Sequence, residues 1–161
     1  MGTVINADLI EEFTTMFRAE HREVRDGLLD LVHALVANHM EECRALLGEI
    51  GALAGPHFRY EEEALYPALV PFFGGDLVDK LYAEHDDAIA IAFRLVDIVQ
   101  ADSLAPHEIS EAVRLTRTLL PLVSKCEGLS LMAEVLERRE IDRVFAARKC
   151  SLEQGLDLLA H

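Results

Sequence analysis

Apolar residues recur at every third or fourth position through four long segments of this chain, and none of them shows the strict alternation of a half-buried strand. The first segment, residues 7–37, sets Phe17, Val24, Leu28, Leu31 and Leu35 on one stripe. The second opens after "NHME", where Asn38 is expected to cap and Glu41 to answer three residues later. It runs to about residue 70 through Leu47, Ile50 and Ala54, with a kink expected at Gly55 and Pro56, because proline donates no backbone hydrogen bond. Asp76 is expected to cap the third, which carries Val78, Leu81, Ala88, Ala92 and Val96 and ends near residue 100. The fourth starts at Pro106 and continues to about residue 138, with Pro121 as a second expected kink. Long helices joined by short breaks must lie side by side, so the expected fold is all-α: an antiparallel up-down four-helix bundle over residues 1–138. Residues 139–161 are expected to add a helical C-terminal extension packed on the bundle, its last piece opened by a Ser151 to Gln154 capping box.

Charge and cysteine content narrow the function classes. Asp and Glu outnumber Lys and Arg by 29 to 15, and a net charge of -14 repels polyphosphate, so nucleic acid is not an expected partner. Two explanations of the acidity stay open here: a solvated helix surface, or carboxylates buried as ligands for cations. The three cysteines, Cys43, Cys126 and Cys150, are widely spaced and form no CxxC pair, which argues against a disulfide framework or a thiolate zinc site and for a reducing compartment. "MGTVINADLI" has no basic start and no continuous apolar run, and no window is apolar enough to span a bilayer. The expected location is the cytoplasm, with no membrane partner.

The seven histidines separate into two groups. His21, His57 and His85 fall on the apolar stripes of three different segments. His33, His39, His107 and His161 fall off them and are expected at the surface. One buried histidine is commonly a satisfied core residue. Three on separate inward stripes, one with Glu61 a single turn later, need partners and compensating charge, and a metal ion supplies both.

An internal repeat bears on the same residues. "AEHREVRDGLLDLV", residues 19–32, matches "AEHDDAIAIAFRLV", residues 83–96, and pairs His21 with His85. Laying "HFRYEEEALYPAL", residues 57–69, over "VSKCEGLSLMAEV", residues 123–135, pairs Glu61 with Glu127 and Tyr60 with Cys126, while His57 meets Val123. The fourth segment thus keeps the carboxylate and lacks the histidine.

In these positions the chain resembles the hemerythrin-like, or HHE, cation-binding domains. That family's pattern is a histidine on the first helix, His-x-x-x-Glu on the second, a histidine on the third and His-x-x-x-Glu or Asp on the fourth. His21, His57, Glu61 and His85 match it, and Glu127 matches on the fourth helix, whereas Val123, Leu81 and Ile89 stand where oxygen carriers have further histidines. The resemblance implies a dinuclear centre of iron, with manganese or zinc as alternatives, in which His21 and His57 serve one ion, His85 serves the other, and Glu61 and Glu127 bridge. It implies a protein that binds or senses dioxygen or related oxidants. With Val123 in place of a ligand, the second ion keeps an open position, which suits a di-metal oxidase, oxygenase or peroxide-decomposing enzyme acting on peroxide or a small molecule. A metal-free interaction module is the third alternative. Tyr60 and Tyr66 are expected as packing or as hydrogen-bond donors to the ligands, Cys126 as a small hydrophobe in preference to a ligand, and Glu20, Glu62, Glu63 and Glu84 as surface residues. Arg138, Arg139, Arg143, Arg148 and Lys149, near Val144 and Phe145, are expected to pack across the bundle's end, with a partner-binding or dimerising helix as the rival.

Overall fold

The computed structural model describes residues 2–159, with side chains from residue 7 onward; His161 lies outside the described residues. Among these residues the chain is helical throughout, with no strand. Helix α1 spans Gly2–Val36, α2 Met40–Tyr60, α3 Tyr66–Phe73, α4 Gly75–Ile98, α5 Pro106–Glu127, α6 Leu129–Met132 and α7 Arg138–Gln154. A π-helical turn, Glu61–Leu65, joins α2 to α3 without a break, and a 3₁₀ turn, Ala133–Val135, follows α6. No helix is long and apolar enough to cross a membrane.

Helix α1 packs against α2 and α5, α4 packs against α5 and α3, and α7 lies over α2 and the π turn. Two apolar clusters fill the interior. Phe13, Phe17, Leu65, Leu69, Val78, Leu81, Leu129, Ile141 and Val144 form one; Leu28, Leu31, Leu35, Leu47, Leu95 and Leu104 belong to the other. His21, His57, Glu61 and His85 are also buried.

Several expected boundaries are corrected. Asn38 is not a helix cap: its φ is +58°, which asparagine tolerates better than most residues, and its side chain holds the backbone of Leu104 through Nδ2 to O (3.2 Å) and N to Oδ1 (2.9 Å). It ties the α1–α2 reversal to the α4–α5 connection, and α2 begins after His39. Gly74, not Asp76, precedes α4. Helical structure runs through Pro56, and the irregularity comes five residues later, at the π turn. The fourth segment does not continue to residue 138 but breaks at Gly128. Because Gly128 aligns with Glu62 in the internal repeat, both halves of the chain depart from α geometry at the same place.

Ser151 caps no separate helix, since its Oγ bonds the Ala147 carbonyl (2.9 Å) inside a continuous α7. Past Gly155, which takes the left-handed conformation at φ +61°, the chain turns back onto α2, where Leu158 N donates to Gly51 O (3.0 Å). A Cβ on Gly55 would stand 2.5 Å from the Leu156 carbonyl oxygen, so this close approach of two backbones requires glycine.

Candidate metal centre

The polar side chains of the buried cluster are delivered by six stretches of helix. His21 comes from α1, His57 and Tyr60 from α2, Glu61 from the π turn, Tyr66 from α3, His85 from α4 and Cys126 from α5. His21, His57, Glu61 and His85 are each at most 5 % exposed. The π turn sets the register. In an α-helix the residue four after Glu61 would lie beneath it; here the Tyr66 amide bonds the Glu61 carbonyl, five residues back, and Tyr66 Oη reaches Glu61 Oε2 (2.9 Å).

The three imidazoles are oriented alike. His21 Nδ1–H donates to the Phe17 carbonyl (2.7 Å), His57 Nδ1–H to Glu20 Oε2 (2.6 Å) and His85 Nδ1–H to Glu62 Oε1 (3.0 Å). With Nδ1 protonated and outward, each Nε2 presents its lone pair inward. His21 Nε2 and His57 Nε2 stand 3.2 Å apart, and Glu61 Oε1 contacts His57 Nε2. That oxygen is fully buried and has no hydrogen-bond partner besides His57. Inward lone pairs beside an unsatisfied carboxylate oxygen require a proton or a cation.

The second Glu61 oxygen faces other groups. Oε2 accepts from Tyr66 Oη and from Cys126 Sγ (3.0 Å) and lies 3.8 Å from His85 Nε2, which is itself 2.8 Å from Tyr66 Oη. One donor atom each from His21, His57, Glu61 and Cys126 falls within 4.8 Å of the others, and the set mixes the nitrogen, oxygen and sulfur donors that suit transition-metal ions.

Electrostatics places the proton of the metal-free cluster on His57. Burial opposes its charge, but the Glu61 carboxylate and the Glu20 hydrogen bond outweigh burial and push it up to about 9. Glu61, which burial would raise, is held down to about 2 by His57 and then His85, and burial together with the His57 charge lowers His21 to about 4. Burial and then Glu61 push the Cys126 thiol up. The folded pKa of His57 exceeds its unfolded value of about 6.5, so this proton stabilises the metal-free fold fully below pH 6.5, and that contribution is lost as pH rises through about 9. A cation replacing the proton is favoured in the opposite direction, by rising pH.

Outside the imidazoles lies a supporting layer. Glu20 accepts from His57, from Tyr60 Oη (2.9 Å) and from Arg148 Nε (2.5 Å), which binds α7 to the cluster. Tyr82 Oη donates to the Glu62 carbonyl (2.9 Å). Glu20, expected at the surface, is therefore tied into the cluster, and Glu62, whose side chain is 36 % exposed, reaches His85 from the surface. For Glu20 the one available signal was the shared "AEH" of the repeat, and even that misleads for Glu84, whose carboxylate pairs with Lys125. Glu63 does face outward, paired with Arg59.

Glu127 is not brought into the cluster. Its carboxylate faces Arg25 on α1 at 3.5 Å, with the side chain 27 % exposed, although its charge is felt at His21. Helix α5 ends at this residue, and Cys126, one position earlier, faces Glu61 instead.

A cavity of about 90 Å³ adjoins the cluster. His21, His57, His85 and Cys126 line it together with apolar residues such as Leu28, Ala92, Leu119 and Val123. Val123, where the repeat lacks its histidine, thus borders open space beside the buried donors.

An all-helical bundle with imidazoles, a carboxylate and a thiol converging between its helices defines a cation-binding bundle. The family model described as the hemerythrin HHE cation binding domain matches residues 12–141, and the chain belongs to that family. No curated protein and no solved structure matches it. Family and donor cluster together indicate metal binding.

Proposed function

We propose that this chain holds two cations, iron or manganese in preference to zinc, bridged by Glu61, and that the centre reacts with dioxygen or a related oxidant entering by the cavity. The observation that carries this reading is the division of the Glu61 carboxylate: Oε1 meets His57, beside His21, while Oε2 meets the group of His85, Tyr66 and Cys126. When bound, such ions supply the electrons and the Lewis acidity for binding or reducing an oxidant. The chain's residues do the rest. Glu20 and Glu62 fix the imidazole tautomers, Tyr66 Oη holds a proton within reach of Glu61 and His85, and the apolar wall from Leu28 to Val123 limits water.

The cavity beside Val123 favours an enzyme, an oxidase or peroxide-decomposing one, over a reversible carrier, because open space beside a proton-bearing tyrosine admits an oxidant and a proton source together. The reduced, iron-loaded protein is expected to consume hydrogen peroxide over many turnovers, or dioxygen when a chemical reductant such as ascorbate is supplied, measured by peroxide absorbance or with an oxygen electrode. Val123→His fills the cavity at the cluster and is expected to slow consumption severalfold while keeping the metal. Reversible oxygen uptake without net consumption would restore the carrier.

A further inference from the structure

The Cys126 thiol packs against the first apolar cluster while its Sγ reaches the buried polar one. It stands on α5 in the cavity wall, its Sγ 3.0 Å from Glu61 Oε2, on the side of the carboxylate that also carries Tyr66 and His85. One donor atom each of Cys126, His21, His57 and Glu61 falls within 4.8 Å of the others, and among them Glu61 Oε1 is fully buried with no hydrogen-bond partner besides His57. In the internal repeat Cys126 aligns with Tyr60, and it lies three residues after Val123, where the histidine is missing. The chain therefore lacks a nitrogen donor on this helix and has a sulfur donor nearly one turn further on, aimed at the bridging carboxylate.

We infer that Cys126 is a metal ligand, giving a thiolate to a cation held at Glu61 in place of the imidazole absent at Val123. This rests on the metal-binding reading above. Ligation exchanges the S–H proton, now shared with Glu61 Oε2, for a metal–sulfur bond, and the proton leaves to solvent as the ion enters. A thiolate brings negative charge where an imidazole brings none, and its soft sulfur donates electron density to the ion. Cys43 and Cys150 serve as internal controls, since Cys43 is buried in the other apolar cluster and Cys150 is exposed on α7.

The test uses cobalt(II) alone, added anaerobically to the full-length metal-free chain. A thiolate ligand gives an intense near-ultraviolet sulfur-to-cobalt charge-transfer band that imidazole and carboxylate do not. The band is expected in the unsubstituted protein, in Cys43→Ser and in Cys150→Ser, and is expected to vanish in Cys126→Ser, while circular dichroism of that variant shows unchanged helix. X-ray absorption of a zinc-loaded sample is expected to show a sulfur neighbour at about 2.3 Å that the same substitution removes. Cobalt bound without the band, or a band that persists in Cys126→Ser, overturns the thiolate and leaves metal binding standing. A chain that takes up no cobalt overturns both.

Discussion

Replacing Glu61 with alanine is expected to strip the protein of nearly all its bound metal. This carboxylate alone touches both donor groups, through Oε1 to His57 and through Oε2 to Tyr66 and Cys126, so its loss separates them. The metal-free fold is expected to suffer as well. His57 carries its raised pKa because Glu61 faces it, and removing one partner of a buried charge pair costs about 3–5 kcal/mol. Glu61→Gln separates the two effects: it keeps the side chain's volume while withdrawing the charge, so thermal unfolding should fall less than for alanine and metal should still be lost. Elemental analysis of dialysed protein checks both variants. Metal retained at the unsubstituted level would remove Glu61 from the centre.

Glu20→Gln is expected to weaken metal binding by about 10- to 100-fold without touching an inward-facing atom. Glu20 is held in place by Arg148 and Tyr60 and accepts the His57 Nδ1 proton, which keeps the His57 Nε2 lone pair inward and basic. A glutamine can still accept that proton, but it lacks the charge that draws Arg148 and raises imidazole basicity. Titration with a competing chelator measures the change. Glu63→Gln is the control, an exposed carboxylate of the π turn paired with Arg59, and is expected to change nothing. Equal affinities in the two variants would mean that the Glu20 charge does not act on the metal through His57 Nδ1.

Helical periodicity made the convergence of His21, His57, Glu61 and His85 legible, because an inward stripe at 3.6 residues per turn fixes which side chains can share an interior. What periodicity misses is any change of period. The π turn adds a residue between Glu61 and Tyr66 and so brings under one carboxylate two side chains that an α-helix would set apart. On the fourth segment Glu127 was expected inward from its alignment with Glu61 in the repeat and its match to the family pattern, and Cys126 as a small hydrophobe, whereas it is Cys126 that faces Glu61 where the helix ends. Contacts distant in sequence were beyond reach for another reason. Nothing local marks Arg148 as the partner of Glu20, or Asn38 as the partner of Leu104; both depend on where α7 and the α4–α5 connection come to rest.

The bridging role proposed for Glu61 is tested most directly by counting ions. Native mass spectrometry and elemental analysis of the full chain, purified anaerobically and loaded with iron(II) or manganese(II), are expected to give about two ions per folded chain, falling to near zero in Glu61→Ala. A folded, helical chain that holds one ion or none under the same loading would contradict a centre built on this carboxylate.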